Sequence, residues 1–539
     1  MTSSRSCTVA RLLAAGLIAF LLPMVVACSG ETADPPSADS AAAAIDAAAP
    51  ATDADPAAEA PADAPPEIPT LPRGLVAHEP GVSDGYLLFG PLLSDTTYLM
   101  DNDGMIVHTW HSPYAPSGTA YLLPNGNLLR GAREPGVEVF KGGGQGGRLQ
   151  EFTWDGEKVW DFEFATADHL LHHDIEVLPN GNILAIAWQA KSADQARAAG
   201  RNPAATPENG LWPDMVIEIE PQRPSGGRIV WEWHAWDHLV QNADPALPNY
   251  GDPAEHPSRI DINAGAPPDI DPAQLEQLKA LGYVPPDTQP EDIGSDLFHT
   301  NAIAYNAELD QIALSTPRLN EIWIIDHSTT TEEAAGNSGG RWGKGGDLLY
   351  RWGNPAAYGR GDADDQTLFA QHDVRWIPPG LPGAGHLMIF NNDVPSPDGN
   401  YSEVVEIAPP MDAGGYTLAG GQPWGSADPA WRYGSSGEAG FYSPFISGAT
   451  RLPNGNTLIC SGAQGRFLEV TPDGSVVWDY RDDHSGDVRM PDGSRPHPVG
   501  EFTYAVFRVT RIAPNHPALA GRTLAPLDPQ PPVAGEGRD

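Results

Sequence analysis

Two hydrophobic patterns alternate along this chain. The first is an acidic-Gly turn followed by an apolar strand that ends in tryptophan, as in Asn102-Asp103-Gly104-Met105-Ile106-Val107-His108-Thr109-Trp110. It returns at Trp154 to Trp160 and Pro472 to Trp478, with variants ending at Trp231-Glu232-Trp233, Tyr350-Arg351-Trp352 and Trp431-Arg432-Tyr433. The second is a hairpin, Leu122-Leu123-Pro124-Asn125-Gly126-Asn127-Leu128-Leu129, repeated at 178–184 and 452–458. Asn-Gly between apolar runs signals a hairpin because both residues tolerate the positive φ of a tight turn. Paired in order, the two phrases give six units near 96–130, 148–190, 215–316, 321–392, 402–461 and 466–512. Each unit has the strands of a four-stranded sheet, and such sheets arranged radially close a ring without long exposed edges. The expected fold is therefore all-β: a six-bladed β-propeller of four-stranded antiparallel blades. A long insert between about 235 and 296 contains one helical run, 272–281, and is expected to cap one face.

The ends of the chain follow other rules. Residues 1–27 have Arg5 and Arg11 before an apolar run that closes on Val25-Val26-Ala27-Cys28. That run is short for a membrane span and reads as a lipoprotein signal peptide, with cleavage before Cys28 and lipidation of its thiol. Ser29 after the cysteine favours the outer membrane, so the protein is expected to be exported and lipid-anchored, periplasmic or on the cell surface. Residues 28–70, rich in Ala, Pro and Asp, cannot bury a core and are expected to be a disordered tether. The propeller is expected over 71–525, with a Pro/Gly-rich tail over 526–539.

Charge and cysteine content narrow the function. A net charge of -40, from 71 acidic and 31 basic residues, argues against a nucleic-acid partner. After processing, Cys28 is modified and Cys460 stands alone, so packing has to replace disulfides.

Candidate chemistry comes from three histidines that open apolar strands: His173-Asp174-Ile175-Glu176-Val177, His299-Thr300-Asn301-Ala302-Ile303 and His372-Asp373-Val374-Arg375-Trp376. Alternation puts His372, Val374 and Trp376 on one strand face, and Asp373 and Arg375 on the other. His173 and His372 both precede Asp and a β-branched residue, so His173, not His172, is expected to face the site. Repeats bring equivalent strands around one axis, so the three rings should converge. Three imidazoles could bind Zn²⁺ as the ligands of a metal-dependent hydrolase. Alternatively, one is a nucleophile and the others handle protons and an anion. Arg318, at the end of Gln311-Ile312-Ala313-Leu314-Ser315-Thr316-Pro317-Arg318, suits the second reading, because a guanidinium repels a cation but grips a tetrahedral oxyanion. A non-catalytic propeller that binds protein through one face is a third reading. The glycine-rich run from Lys141 to Gly147 lacks Walker spacing and reads as a loop.

With these segments together, the sequence resembles the bacterial arylsulfate sulfotransferases from about Ser83 to Ile512. The resemblance rests on Leu171-His172-His173-Asp174, His299-Thr300-Asn301-Ala302-Ile303, Ser315-Thr316-Pro317-Arg318, Tyr350-Arg351-Trp352-Gly353-Asn354-Pro355 and Gln371-His372-Asp373. It implies a six-bladed propeller that moves a sulfuryl group from an aryl sulfate to a phenol through a sulfohistidine, with no metal or organic cofactor. It further implies His372 as nucleophile, His173 and His299 as its supports, Arg318 as the sulfate-binding residue, and Thr300 and Asn301 in the same pocket. Better-known members carry a sizeable N-terminal β-domain used in dimerisation, for which about 25 residues here are expected to be too few, and a disulfide near the active site, which Cys460 alone is not expected to supply. An unperturbed imidazole nucleophile would lose activity as the pH falls through ~6.5.

Overall fold

The structure is a computed structural model and describes residues 72–265, 270, 272–280, 283–425, 428–436, 441–484 and 503–533. The signal peptide, Cys28 and the tether lie outside these residues, as does the end of the tail from 534.

Six antiparallel sheets of four strands form the propeller, with one further strand on the last. From the axis outwards, blade I is Val506–Ile512, Tyr86–Pro91, Thr96–Met100 and Ile106–His111. Blade II is Pro116–Leu122, Leu128–Arg133, Gly147–Phe152 and Lys158–Glu163, and blade III is His169–Val177, Ile183–Gln189, Asp214–Pro221 and Gly227–His234. Blade IV is Ala302–Asn306, Gln311–Thr316, Glu321–Asp326 and Tyr350–Trp352, and blade V is His372–Trp376, Leu387–Val394, Tyr401–Ile407 and Trp431–Tyr433. Blade VI is Gly448–Arg451, Thr457–Ser461, Arg466–Val470 and Val476–Arg481, with Gly74–His78 on its outer edge. The ring thus closes twice, by a C-terminal strand inside blade I and an N-terminal strand outside blade VI.

The frame of the repeat differs from the sequence units. The tryptophan phrase is the outermost strand of one blade, and the Asn-Gly hairpin is the innermost pair of the next. Each sequence unit therefore straddles a blade boundary, because the chain crosses from the rim back to the axis between the two phrases. The outer aromatic residue has a specific task. Its polar hydrogen reaches a backbone carbonyl or hydroxyl in the loop after the third strand of the following blade. The bonds are Trp110 Nε1 to Thr153 O (3.1 Å), Trp160 Nε1 to Gly226 O (2.8 Å) and Trp231 Nε1 to Thr329 Oγ1 (3.2 Å). Tyr350 Oη to Gly425 O (2.5 Å), Trp431 Nε1 to Pro472 O (3.0 Å) and Trp478 Nε1 to Asn102 O (2.9 Å) complete the circle. Apolar clusters between successive sheets supply the burial that holds them together.

Two additions position the site. The insert contributes the helix Pro272–Ala280 and packs Leu275, Tyr283, Val284 and Ile293 against Leu92, Ile446 and Phe507 over one end of the axis. The start of the tail is fixed to blade I, where Gln530 Oε1 accepts from Ile106 N (2.9 Å) and Leu527 N donates to Ile106 O (2.8 Å).

The axis itself is charged. Arg508, on the closing strand, is buried; its Nη1 donates to Asp174 Oδ2 (2.7 Å) and Thr119 Oγ1 (2.9 Å), and its Nε lies 2.9 Å from Asp373 Oδ1. One guanidinium thereby joins the inner strands of blades I, II, III and V. Arg508→Leu removes it and leaves two buried carboxylates without it, so we expect a loss of about 3–5 kcal/mol of stability, measured by urea unfolding. An unchanged midpoint would show that the cluster is not held by this residue.

Candidate active site

The inner strands of blades III, IV and V bring His173, His299 and His372 to the end of the axis covered by the insert. The rings of His173 and His299 are 4.5 Å apart at nearly right angles, and His372 is within electrostatic reach of both. Their registers are not equivalent. His372 opens its strand, His173 is internal to His169–Val177, and His299 precedes Ala302–Asn306. Val374 and Trp376 pack between blades as alternation predicts, but a bulge interrupts the ladder between His372 and Arg375, where Asp373 takes φ 55°. Among the described residues, eight non-glycine residues have positive φ, and six of them, His173, His299, Ala370, Asp373, Ile446 and Ser447, gather here. Each costs of order 1 kcal/mol or more, and the surrounding packing must hold them in place.

His372 is the most tightly held ring. Nδ1 donates to Asn392 Oδ1 (2.9 Å) and lies 3.1 Å from Ala370 O, which keeps the proton there. The lone pair is then on Nε2, which accepts from the amide of Ile446 at 3.1 Å. His173 Nδ1 is 2.7 Å from His172 Nδ1, and its Nε2 faces the hydroxyl of Tyr283 at 3.5 Å. His172 is turned outward, stacked on Trp188 with Nε2 3.1 Å from Asp214 Oδ1. His299 Nδ1 bonds Asp296 Oδ2, while Asp296 Oδ1 accepts from Trp188 Nε1 at 3.0 Å. Burial opposes ionisation of Asp296, but His299 beside it prevails and holds the carboxyl below its ordinary range.

Arg318 lies partly buried near Asp296 and Tyr283, and its buried Nε has no hydrogen-bond partner among the described residues. A guanidinium in that condition is suited to an anion. Thr300 and Asn301 are both committed to protein partners. The Thr300 hydroxyl bonds Asp214 Oδ2, and Asn301 Nδ2 donates to the carbonyl of Gln371 (2.9 Å), one residue before His372. These bonds brace the site, while Asn301 Oδ1 has no hydrogen-bond partner among the described residues. Arg351 is also a brace: it pairs with Glu321 (Nε to Oε1 2.9 Å) and donates to Arg259 O of the insert (2.9 Å).

Several contributors went unread in the sequence. Tyr283 comes from the insert, Asn392 from the second strand of blade V, and Ile446 offers only its backbone. The glycine-rich loop is a wall of the site. A Cβ at Gly144, where φ is 76°, would fall 2.2 Å from His173 Nε2, and one at Gly143 would fall 2.0 Å from Tyr283 Cε1. Glycine there lets the backbone lie directly on the rings. Those glycines were the available signal.

Among the described residues, the group of His, Cys, Asp and Glu ligand atoms lying within 4.8 Å of one another is Asp482, Asp483 and His484, elsewhere on blade VI. Cys460 is free and buried.

A family model for Arylsulfotransferase (ASST) matches residues 92–488. No curated protein matches the chain. Among solved structures, a protein of unknown function from Bacteroides caccae is similar at 12% identity, over 79% of this chain and 98% of that one, with a TM-score of 0.39. A streptogramin B lyase is similar at 11% identity over 78% and 93%, with a TM-score of 0.33. A putative 6-phosphogluconolactonase from Bacteroides fragilis is similar at 10% identity over 80% and 98%, with a TM-score of 0.34. Likenesses this distant carry no argument.

Burial pushes the His372 imidazole down to about 3; the bonds to Asn392 and Ala370 oppose this, and the positive fields of His299 and Arg508 add to it. Burial likewise holds His173 well below the ordinary range. The transition expected near ~6.5 thus moves downward for the nucleophile candidate. The same shift has a consequence for stability. Between the unfolded value and about 3, the unfolded chain binds a proton at this ring that the folded one does not. Stability from this group is therefore complete above ~6.5 and falls as pH drops through that window. His372→Gln removes the titration, so the urea-midpoint difference between wild type and variant should change by a few kcal/mol equivalent between about pH 7 and pH 4, in the variant's favour at acid pH. A pH-independent difference would show that the folded ring accepts the proton normally.

Proposed function

The chain belongs to the arylsulfotransferase family, and from that premise we propose that it transfers a sulfuryl group from an aryl sulfate ester to a phenolic acceptor, without a nucleotide donor, through a sulfohistidine at His372. The observation that carries this reading is the state of His372: a buried neutral imidazole, its proton held on Nδ1 by Asn392 and its Nε2 lone pair met by the Ile446 amide, in a site where Arg318, near Asp296, has an Nε with no hydrogen-bond partner among the described residues.

Nε2 attacks sulfur in line, the bond from sulfur to the phenolic oxygen breaks, and the phenolate leaves with the electron pair. His372 becomes an N-sulfo imidazolium whose positive ring offsets the sulfonate. Transfer through a loose transition state, by analogy with phosphoryl transfer, asks for positioning and charge rather than further covalent chemistry. Arg318 supplies the charge. His299, held by Asp296 at Nδ1, has its other nitrogen for proton traffic: it protonates the departing phenolate and takes the proton from the incoming phenol. The acceptor oxygen then attacks sulfur and His372 leaves as neutral imidazole, which completes a ping-pong cycle. Before attack, the bond from the Ile446 amide to Nε2 has to open. Once sulfur occupies Nε2, that amide faces the sulfonate oxygens as a donor.

The location is proposed on sequence pattern alone. Cys28, after Val25-Val26-Ala27, is lipidated and tethers the propeller to the outer membrane through residues 28–70.

Incubation with p-nitrophenyl sulfate alone should add one sulfuryl group to a peptide containing 368–376, labile in acid and removed by phenol. His372→Asn should abolish both adduct and transfer. In the same assay Arg318→Lys should lose part of the activity and Arg318→Ala about 10²-fold or more. Adduct that persists in His372→Asn moves the nucleophile elsewhere, and wild-type rates in both Arg318 variants remove that residue from the site. For the anchor, processing should be sensitive to globomycin, and Cys28→Ser should leave the membrane fraction; a variant that still pellets with membranes would contradict lipidation.

A further inference from the structure

The end of the axis opposite the histidines opens into a cavity of about 460 Å³, formed by the C-terminal ends of the inner strands of blades III to VI. Its floor carries Glu176 and Arg375, each three residues beyond His173 and His372, or about 10 Å further along the strands. Trp376 and Tyr305 form part of its walls, with Glu308 and Ala384 exposed at the mouth.

The charges between the two ends are already matched. Arg508 is shared by Asp174 and Asp373, and Arg375 Nε donates to Asp373 Oδ1 at 2.5 Å. Two sets of polar atoms remain. Among the described residues, the terminal amino groups of Arg375 have no partner, and the carboxylate of Glu176 has neither a hydrogen bond nor an ion pair. They sense each other without pairing. Burial raises the Glu176 carboxyl to about 7, against the field of Arg375 and with those of Asp174 and Asp373, while Arg508 works with Arg375. A carboxylate destabilised in this way gains from a cation placed against it. The free fork of Arg375 gains from a carboxylate. The indole of Trp376 lines the same cavity and gives it an apolar, cation-compatible wall.

We propose that this mouth is a second ligand site, separate from the histidine end, which takes a small zwitterion with an aromatic body: an aromatic α-amino acid, its ammonium on Glu176, its carboxylate on Arg375 and its ring against Trp376. The volume is in the range of small-molecule pockets. The site does not depend on the transfer chemistry proposed for the histidines.

Three probes with one ring separate the two charges: phenylalanine, phenethylamine and 3-phenylpropionate. None is a phenol, so none can serve as a sulfuryl acceptor at the other end. By calorimetry on the full chain, phenylalanine should bind at least about tenfold more tightly than either single-charge probe. Glu176→Gln should bring phenylalanine down to the level of phenylpropionate. Ala384→Trp, a change at an exposed position that leaves both charges in place, should weaken all three by filling the mouth. The proposal is overturned by no binding of phenylalanine up to about 10 mM, by equal affinities for the three probes, or by an affinity that both variants leave unchanged.

Discussion

One guanidinium organises the interior of this protein. Arg508 arrives on the last strand of the chain, and its bonds to Asp174 and Asp373 can form only when that strand has closed blade I. Those two aspartates follow His173 and His372 directly in sequence, so the residue that completes the ring also sets the spacing of the two histidine segments. An ion cluster of this kind is costly to bury. Its effect here is geometric: it joins strands far apart in sequence across an axis where apolar packing would give no unique register.

The same cluster shapes the electrostatics on both sides. Towards the insert, its positive end and the neighbouring histidines add to burial in keeping His372 and His173 unprotonated. A neutral ring is what a nitrogen nucleophile requires. Asp296 holds His299 in a different state of partnership, as a carboxylate–imidazole pair suited to moving protons. In the reaction we propose, two imidazoles in one site thus take opposite tasks from their neighbours rather than from their own chemistry. Away from the insert, Glu176 is left outside the matched pairs, which is why that end of the axis has unspent polarity.

The rim works by repetition. Six aromatic side chains, one per outer strand, each bond the next blade, and the bond from Trp478 to Asn102 O makes the last blade grip the first. Each contributes only about 1 kcal/mol. Together with the two terminal strands they resist the opening of a ring that would otherwise be weakest at its seam. That stiffness supports the left-handed backbone at His173, His299, Asp373 and Ile446, conformations that an isolated strand would abandon.

What the sequence determined by itself was periodic or local: the number of blades, the hairpins made by Asn-Gly, the helix in the insert, and the gathering of His173, His299 and His372 with Arg318 nearby. Short-range patterns dictate such features, because turn residues and alternating apolar positions act on neighbouring atoms. The blade frame was not legible, since the same two phrases pair equally well within a unit or across a boundary, and hydrogen bonding at the axis decides between them. Nor were Tyr283, Asn392, the Ile446 amide and the bracing roles of Thr300 and Asn301. Each acts through a contact between elements tens or hundreds of residues apart, made at a bulge that breaks the alternation the sequence displays. Only the closed ring brings those atoms together, and with them the burial that fixes which histidine keeps its lone pair.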